Sequence, residues 1–129
     1  SLLLLALPLI ASASEQTVSV RGKLLCHGKP EKDVLVKLYD HDAGIDVDDL
    51  MAEGRTDADG NFFLKGSESE IFSIDPKLNI YHDCDDGVMP CQRKFSIFIP
   101  KQYIDKDTYD AGQMELSATY PDEERDCIH

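Results

Sequence analysis

The residues best suited to chemistry in this chain of 129 residues are four cysteines, Cys26, Cys84, Cys91 and Cys127, and a run of side chains around one of them, His82-Asp83-Cys84. A base, a carboxylate and a thiol in sequence suggest nucleophilic catalysis. Neighbouring residues of a strand point to opposite faces, however, so these three cannot form a triad among themselves. A cysteine held in a disulfide also has no thiolate with which to attack. The even number of cysteines and their wide spacing suit disulfides better than a zinc site completed by His27 or His82. Four cysteines allow three pairings. No catalytic residue is assigned.

Acidic loops are the second chemical feature. Asp40, Asp42, Asp46, Asp48 and Asp49 crowd one segment, and Asp83, Asp85 and Asp86 another. Calcium takes six to eight oxygen ligands, which such loops can supply. Neither segment fits the EF-hand pattern, and after Asp57-x-Asp59-Gly60 the closing position holds Gly66 in place of Glu. Solvation is the ordinary role of charged loops. Asp83, Asp85 and Asp86 stand as weak calcium candidates, and no cofactor is expected.

The elements that must position these groups are strands. Ser1–Ile10 is an uncharged apolar run followed by Ala11-Ser12-Ala13, the pattern of a partial secretory signal peptide cleaved after about Ala13. It is too short to span a bilayer as a helix. Residues 14–129 then form one domain, expected in the extracellular space. Val18, Val20, Leu24 and Cys26 alternate with Ser19, Arg21 and Lys23, the period of a half-buried strand. Val34, Val36 and Leu38 start a second inward row. Further strands are expected at Leu50–Thr56, Asn61–Lys65, Lys77–His82, Lys94–Ile99 and Gln113–Tyr120, with Asp57–Gly60 as a turn and one helical turn at Ser67–Ile71. Seven or so short strands separated by turn signals describe an antiparallel β-sandwich.

Charge excludes other classes. The formal net charge is −12, and the leader contributes none of it. Nucleic acid is excluded as a partner, because its binding rests on Lys and Arg neutralising phosphates. Direct adhesion to anionic lipid is disfavoured for the same reason. Asn61 and Asn79 both lack the hydroxyl residue of a glycosylation sequon.

Several motifs fall in a familiar order: Val20–Pro30 (VRGKLLCHGKP), Val34–Asp40 (VLVKLYD), Gly54–Phe62 (GRTDADGNF), Asp75-Pro76, Ile80–Cys84 (IYHDC) and Pro90-Cys91. Together they resemble the transthyretin-like family, a large set of secreted proteins known from nematodes. The resemblance covers essentially the whole of residues 14–129. It implies an all-β, two-sheet, prealbumin-like sandwich and an extracellular address, but little chemistry; a few members are described as extracellular binding or bridging proteins. In such a sandwich the first strand lies parallel beside one of the last. That arrangement implies Cys26–Cys127, with Cys84–Cys91 closing a hairpin loop that would pre-order Asp83–Asp86. The two crossed pairings stay open. The catalytic relative on this fold, hydroxyisourate hydrolase, carries a C-terminal Tyr-Arg-Gly-Ser, whereas this chain has Glu124-Arg125-Asp126-Cys127-Ile128-His129.

The same sandwich places apolar residues on an outer face. With Val34, Val36 and Leu38 inward, Leu35 and Tyr39 point out; likewise Tyr81 and Phe98 on the strands expected alongside. Leu35, Lys37, Tyr39, Tyr81 and Phe98 are therefore the candidate binding patch, of the kind that marks interaction sites. Cover from Ala43–Asp49 or Tyr103–Tyr109 would instead make the row a second small core. Two functions follow: a secreted module binding a protein or cell-surface ligand through this face or a loop tip, or a carrier of small hydrophobic ligands in a channel between assembled subunits.

Overall fold

A computed structural model describes residues 12–42 and 47–129; most of the expected signal peptide, and Asp46 of the first acidic loop, lie outside the described residues. Two sheets face each other. One is built on β1 (Ser14–Cys26), which pairs antiparallel with β5 (Asn61–Glu70) and with the two-residue β2 (Lys29–Pro30), and parallel with β8 (Tyr109–Glu115). The other runs in the order β4 (Asp49–Arg55), β3 (Leu35–Asp40), β6 (Pro76–His82), β7 (Gln92–Phe98) and β9 (Glu124–Asp126), with antiparallel neighbours throughout. Among the described residues no helix is long and apolar enough to cross a membrane.

Alternation builds the core. Val18, Val20 and Leu24 of β1, Val36 and Leu38 of β3, Leu78 and Ile80 of β6 and Phe95 of β7 all point between the sheets and are buried. The turn before β5 depends on Gly60, which adopts φ +77°; a Cβ there would sit 2.5 Å from the Leu24 carbonyl oxygen. Only glycine fits such a position without strain. Asp57 closes the same turn by accepting bonds from the amides of Asp59 and Asn61.

Three expectations change. Ser67–Ile71 forms no helical turn; β5 continues to Glu70, because β1 extends to Ser14 and offers partners along its full length. The last long strand is β8, earlier in sequence than Gln113–Tyr120, and a further strand, β9, follows it.

The third change concerns the cysteines. All four are bonded, as Cys26–Cys84 and Cys91–Cys127 rather than Cys26–Cys127 and Cys84–Cys91. β1 and β8 do lie parallel, but the chain does not stay on that sheet. Between β8 and β9 it crosses to the other one: Leu116 is buried, Tyr120 stacks on Phe95 at 4.2 Å, and Arg93 of β7 donates to the Ala118 carbonyl and to both carboxylate oxygens of Glu123. β9 then pairs with β7, which brings Cys127 beside Cys91. Cys84, just past β6, turns inward to the end of β1 and joins the two sheets.

Candidate functional site

The outer face of the five-stranded sheet presents nine patterned side chains from three adjacent strands. Strand geometry dictates its membership: residues alternating with Val36, Leu38, Leu78, Ile80 and Phe95 must point outward. These are Leu35, Lys37 and Tyr39 on β3, Lys77, Asn79 and Tyr81 on β6, and Lys94, Ser96 and Phe98 on β7. The observed register sets Lys37 opposite Asn79, Asn79 opposite Ser96, and Tyr81 opposite both Leu35 and Lys94.

A chain of hydrogen bonds runs across the middle of this face. The Ser96 hydroxyl donates to Asn79 Oδ1 at 2.6 Å, Asn79 Nδ2 donates to the Tyr81 hydroxyl at 3.2 Å, and the hydroxyls of Tyr39 and Tyr81 are partners. Burial raises the pKa of both tyrosines, so they remain neutral hydroxyls able to donate and accept. Two ammonium groups lie over the Tyr81 ring, Lys37 Nζ at 5.8 Å and Lys94 Nζ at 5.9 Å from its centroid. Cations in this position are attracted by the ring quadrupole. The Lys94 ammonium also pairs with Glu124 at 3.0 Å and lies 3.7 Å from Asp126. Lys77 pairs with Asp48. Burial pushes the Asp48 carboxyl up, but the Lys77 hydrogen bond and the Asp42 amide outweigh it and leave the pKa lowered.

Cover over this face comes from an unforeseen direction. The segment after β9 folds back, and the His129 ring stacks on Tyr81 with centroids 4.3 Å apart. Tyr81 is left 2 % exposed. Leu35 and Lys37 are also buried and Tyr39 is half-buried, so of the five patch residues Phe98 alone lies open, at 53 %, with its ring edge-on to His41. Of the two segments expected as cover, Tyr103–Tyr109 packs elsewhere, Tyr103 and Tyr109 against each other; of Ala43–Asp49, residues 43–46 lie outside the described residues, while Asp48 pairs with Lys77 of this face and Val47 lies at its edge. A concavity of about 260 Å³ remains between Tyr39, Lys77, Lys94, Asp126 and His129, with Val47 and Ile128 at its rim. The sequence signal for Lys94, Asn79 and Ser96 was available in the alternation of β6 and β7. Nothing local marked His129.

The remaining candidates are dispersed. Asp83 accepts from Gln92 Nε2 at 2.8 Å, Asp85 pairs with His27 Nε2 at 2.5 Å, and the buried Asp86 pairs with Arg125. Each carboxylate is engaged by a different donor, and the three do not converge on one point. Asp40, Asp49 and Glu70 do converge, with ligand atoms within 4.8 Å of one another, and the Glu70 pKa is raised because its protonated carboxyl donates a hydrogen bond to Asp40. His82 is 2 % exposed, accepts the Cys84 amide on Nδ1, and titrates near about 4 because burial and then the Arg93 charge disfavour its cation. With Cys84 in a disulfide, His82-Asp83-Cys84 has neither nucleophile nor accessible base.

Comparisons with known proteins match this architecture. A model of the transthyretin-like family matches residues 21–100. Transthyretin-like protein 5 of Caenorhabditis elegans is 54% identical over 98% of this chain and 99% of its own length. Transthyretin-like protein 33 of the same organism is 48% identical over 88% of this chain and 83% of its length. Among solved structures, a 9R-lipoxygenase from Cyanothece superposes with a TM-score of 0.54 at 21% identity, over 82% of this chain and 18% of the lipoxygenase chain, a likeness of fold alone. With two sheets in this order and relatives matched along nearly its full length, the chain belongs to the transthyretin-like family.

Proposed function

We propose that this chain is a secreted, non-catalytic interaction module that binds an extracellular protein or cell-surface ligand through the outer face of the five-stranded sheet. The observation that carries the reading is the contrast on that face: an exposed Phe98 beside a hydrogen-bonded row of Tyr39, Tyr81, Asn79 and Ser96 with three lysines. Exposed aromatic rings flanked by oriented polar groups are typical binding anchors. A rigid strand platform also presents them at little entropic cost.

The test is titration of fluorescently labelled, oxidised chain onto cells dissociated from Caenorhabditis elegans, the source of the similar proteins. Saturable, protease-sensitive binding is expected, weakened at least tenfold by Phe98→Asp and unchanged by Phe63→Asp, which lies 58 % exposed on the other sheet. Equal sensitivity to both substitutions, or to neither, overturns the assignment of the face. Light scattering coupled to size exclusion separates this reading from a carrier. A stable tetramer would favour a channel between subunits; a monomer has none.

A further inference from the structure

The C-terminal segment occupies part of this face in a manner that describes its own replacement. β9 adds to the edge of β7 through Gln92↔Asp126, Arg93↔Arg125 and Lys94↔Glu124. Residues two apart in a strand share a face, so Glu124 and Asp126 both reach the Lys94 ammonium. His129 lies on Tyr81 three residues later. Three residue pairs make a short edge strand, and such additions are weak unless otherwise held. Here the holding is done by Cys91–Cys127, at the junction of the strap with β7, and by Arg125 on Asp86.

We propose that the edge of β7 and the adjoining Tyr81–Lys94 surface form a receptor for an extended acidic peptide, with acidic residues at alternate positions, and that the C-terminal strap is its intramolecular stand-in. The inference rests on reading this face as an interaction surface and names the class of partner that fits it. Charge complementarity is local. The chain as a whole is strongly acidic, but charges beyond about 8 Å are screened at physiological ionic strength, so Lys94 and Lys37 dominate at contact while the net charge slows approach. Lys37 has no carboxylate within ion-pairing distance among the described residues and lies against Tyr81, which leaves one ammonium for an incoming acid.

The receptor is closed while Cys91–Cys127 is intact. An external dithiol opens it: one thiolate attacks a strap sulfur, the other cysteine leaves as a thiolate and is protonated, and the second thiol of the reagent resolves the mixed disulfide. Two electrons pass, the reagent ends as a disulfide, and Cys91 and Cys127 end as thiols. Cys84 is buried, 4 % exposed, whereas Cys127 lies at the surface, so the strap disulfide reacts first.

The experiment uses the full chain carrying Cys91→Ser and Cys127→Ser, with Glu124→Lys and Asp126→Lys to undock its own strap. A synthetic peptide of residues 121–129 carrying Cys127→Ser is titrated in trans and followed by amide chemical shifts. Saturable shifts at Tyr81 and Lys94 are expected, with affinity falling at least tenfold when Lys94→Glu is added and no binding to the oxidised wild type. Absence of binding to the opened chain, binding that survives Lys94→Glu, or equal binding to the oxidised chain overturns the proposal. Should the opened variant fail to fold, the wild type treated with dithiothreitol decides: Cys91 and Cys127 must be alkylated before Cys26 and Cys84, and Lys94 must then react faster in reductive methylation. Any other order, or an unchanged Lys94 rate, overturns it. Because the peptide replaces the natural partner, a negative result here leaves the Phe98 test of the face standing.

Discussion

Cys26–Cys84 and Cys91–Cys127 join very different places. The first links the end of β1 to the residue just past β6, so it ties one sheet to the other beside His82 and the Arg93–Glu123 ion pair. The second holds a three-residue strand against the rim of one sheet, next to half-exposed charges. Chain-entropy arithmetic alone gives loops of 58 and 36 residues similar weight, about 4 kcal/mol each. Surroundings separate them. A cross-link between rigid elements costs the native state nothing to keep. A cross-link on a segment that opens locally also restrains native motion, and its net contribution shrinks. One disulfide is structural in effect, while the other sets how much of a surface is available.

The sharpest way to break that contrast is to remove each bond in turn. Replacing Cys26 and Cys84 together by Ser is expected to cost about 4 kcal/mol or more in urea unfolding, since two hydroxyls then replace a bond at a buried site. The same exchange at Cys91 and Cys127 should cost about half as much, and amide exchange should quicken in β9 alone. Equal losses would abolish the distinction. Arg93→Ala comes next. Arg93 binds both Glu123 oxygens and the carbonyls of Cys84 and Ala118, and breaking a buried pair costs about 3–5 kcal/mol. Its loss should also raise exchange at Tyr120–Asp126, because Arg93 anchors the crossing between the sheets.

A pH measurement probes the buried end specifically. In the folded chain the His82 pKa is lowered from 6.5 to about 4, so the unfolded state binds a proton where the native state does not. Stability from this group is complete above pH 6.5 and falls as pH drops from there towards 4, by on the order of 3 kcal/mol in total. The difference between wild type and His82→Leu across that window should carry this slope, and a parallel pair of profiles would show that His82 is hydrated. The smallest effect belongs to the open surface. Phe98→Asp should change unfolding free energy by no more than about 0.5 kcal/mol, and a severe loss would place Phe98 in the core.

The inward rows of β1, β3, β6 and β7 were readable because period-two alternation is a local property of a strand with one face buried. The candidate face followed from the same rows by subtraction, and Phe98 does lie exposed on it. The face's exposure was not readable: the Tyr81 ring is covered by His129, Lys37 and Lys94, and His129 lies far along the chain from Tyr81. The extra length of β5 was hidden for a related reason. Ser67, Ser69 and Glu70 have no strand propensity of their own and are extended because β1 pairs with them.

Composition and pattern by themselves determined that this chain is an all-β sandwich with oxidised cysteines and a strongly acidic surface, since burial of alternating apolar side chains leaves few other solutions. Which cysteines met, and which aromatic rings stayed open, depended on the path between Leu116 and Glu123. That path is set by Arg93, Tyr120 and Phe95 packing across two sheets, contacts between residues distant in sequence, so only the tertiary structure could decide it.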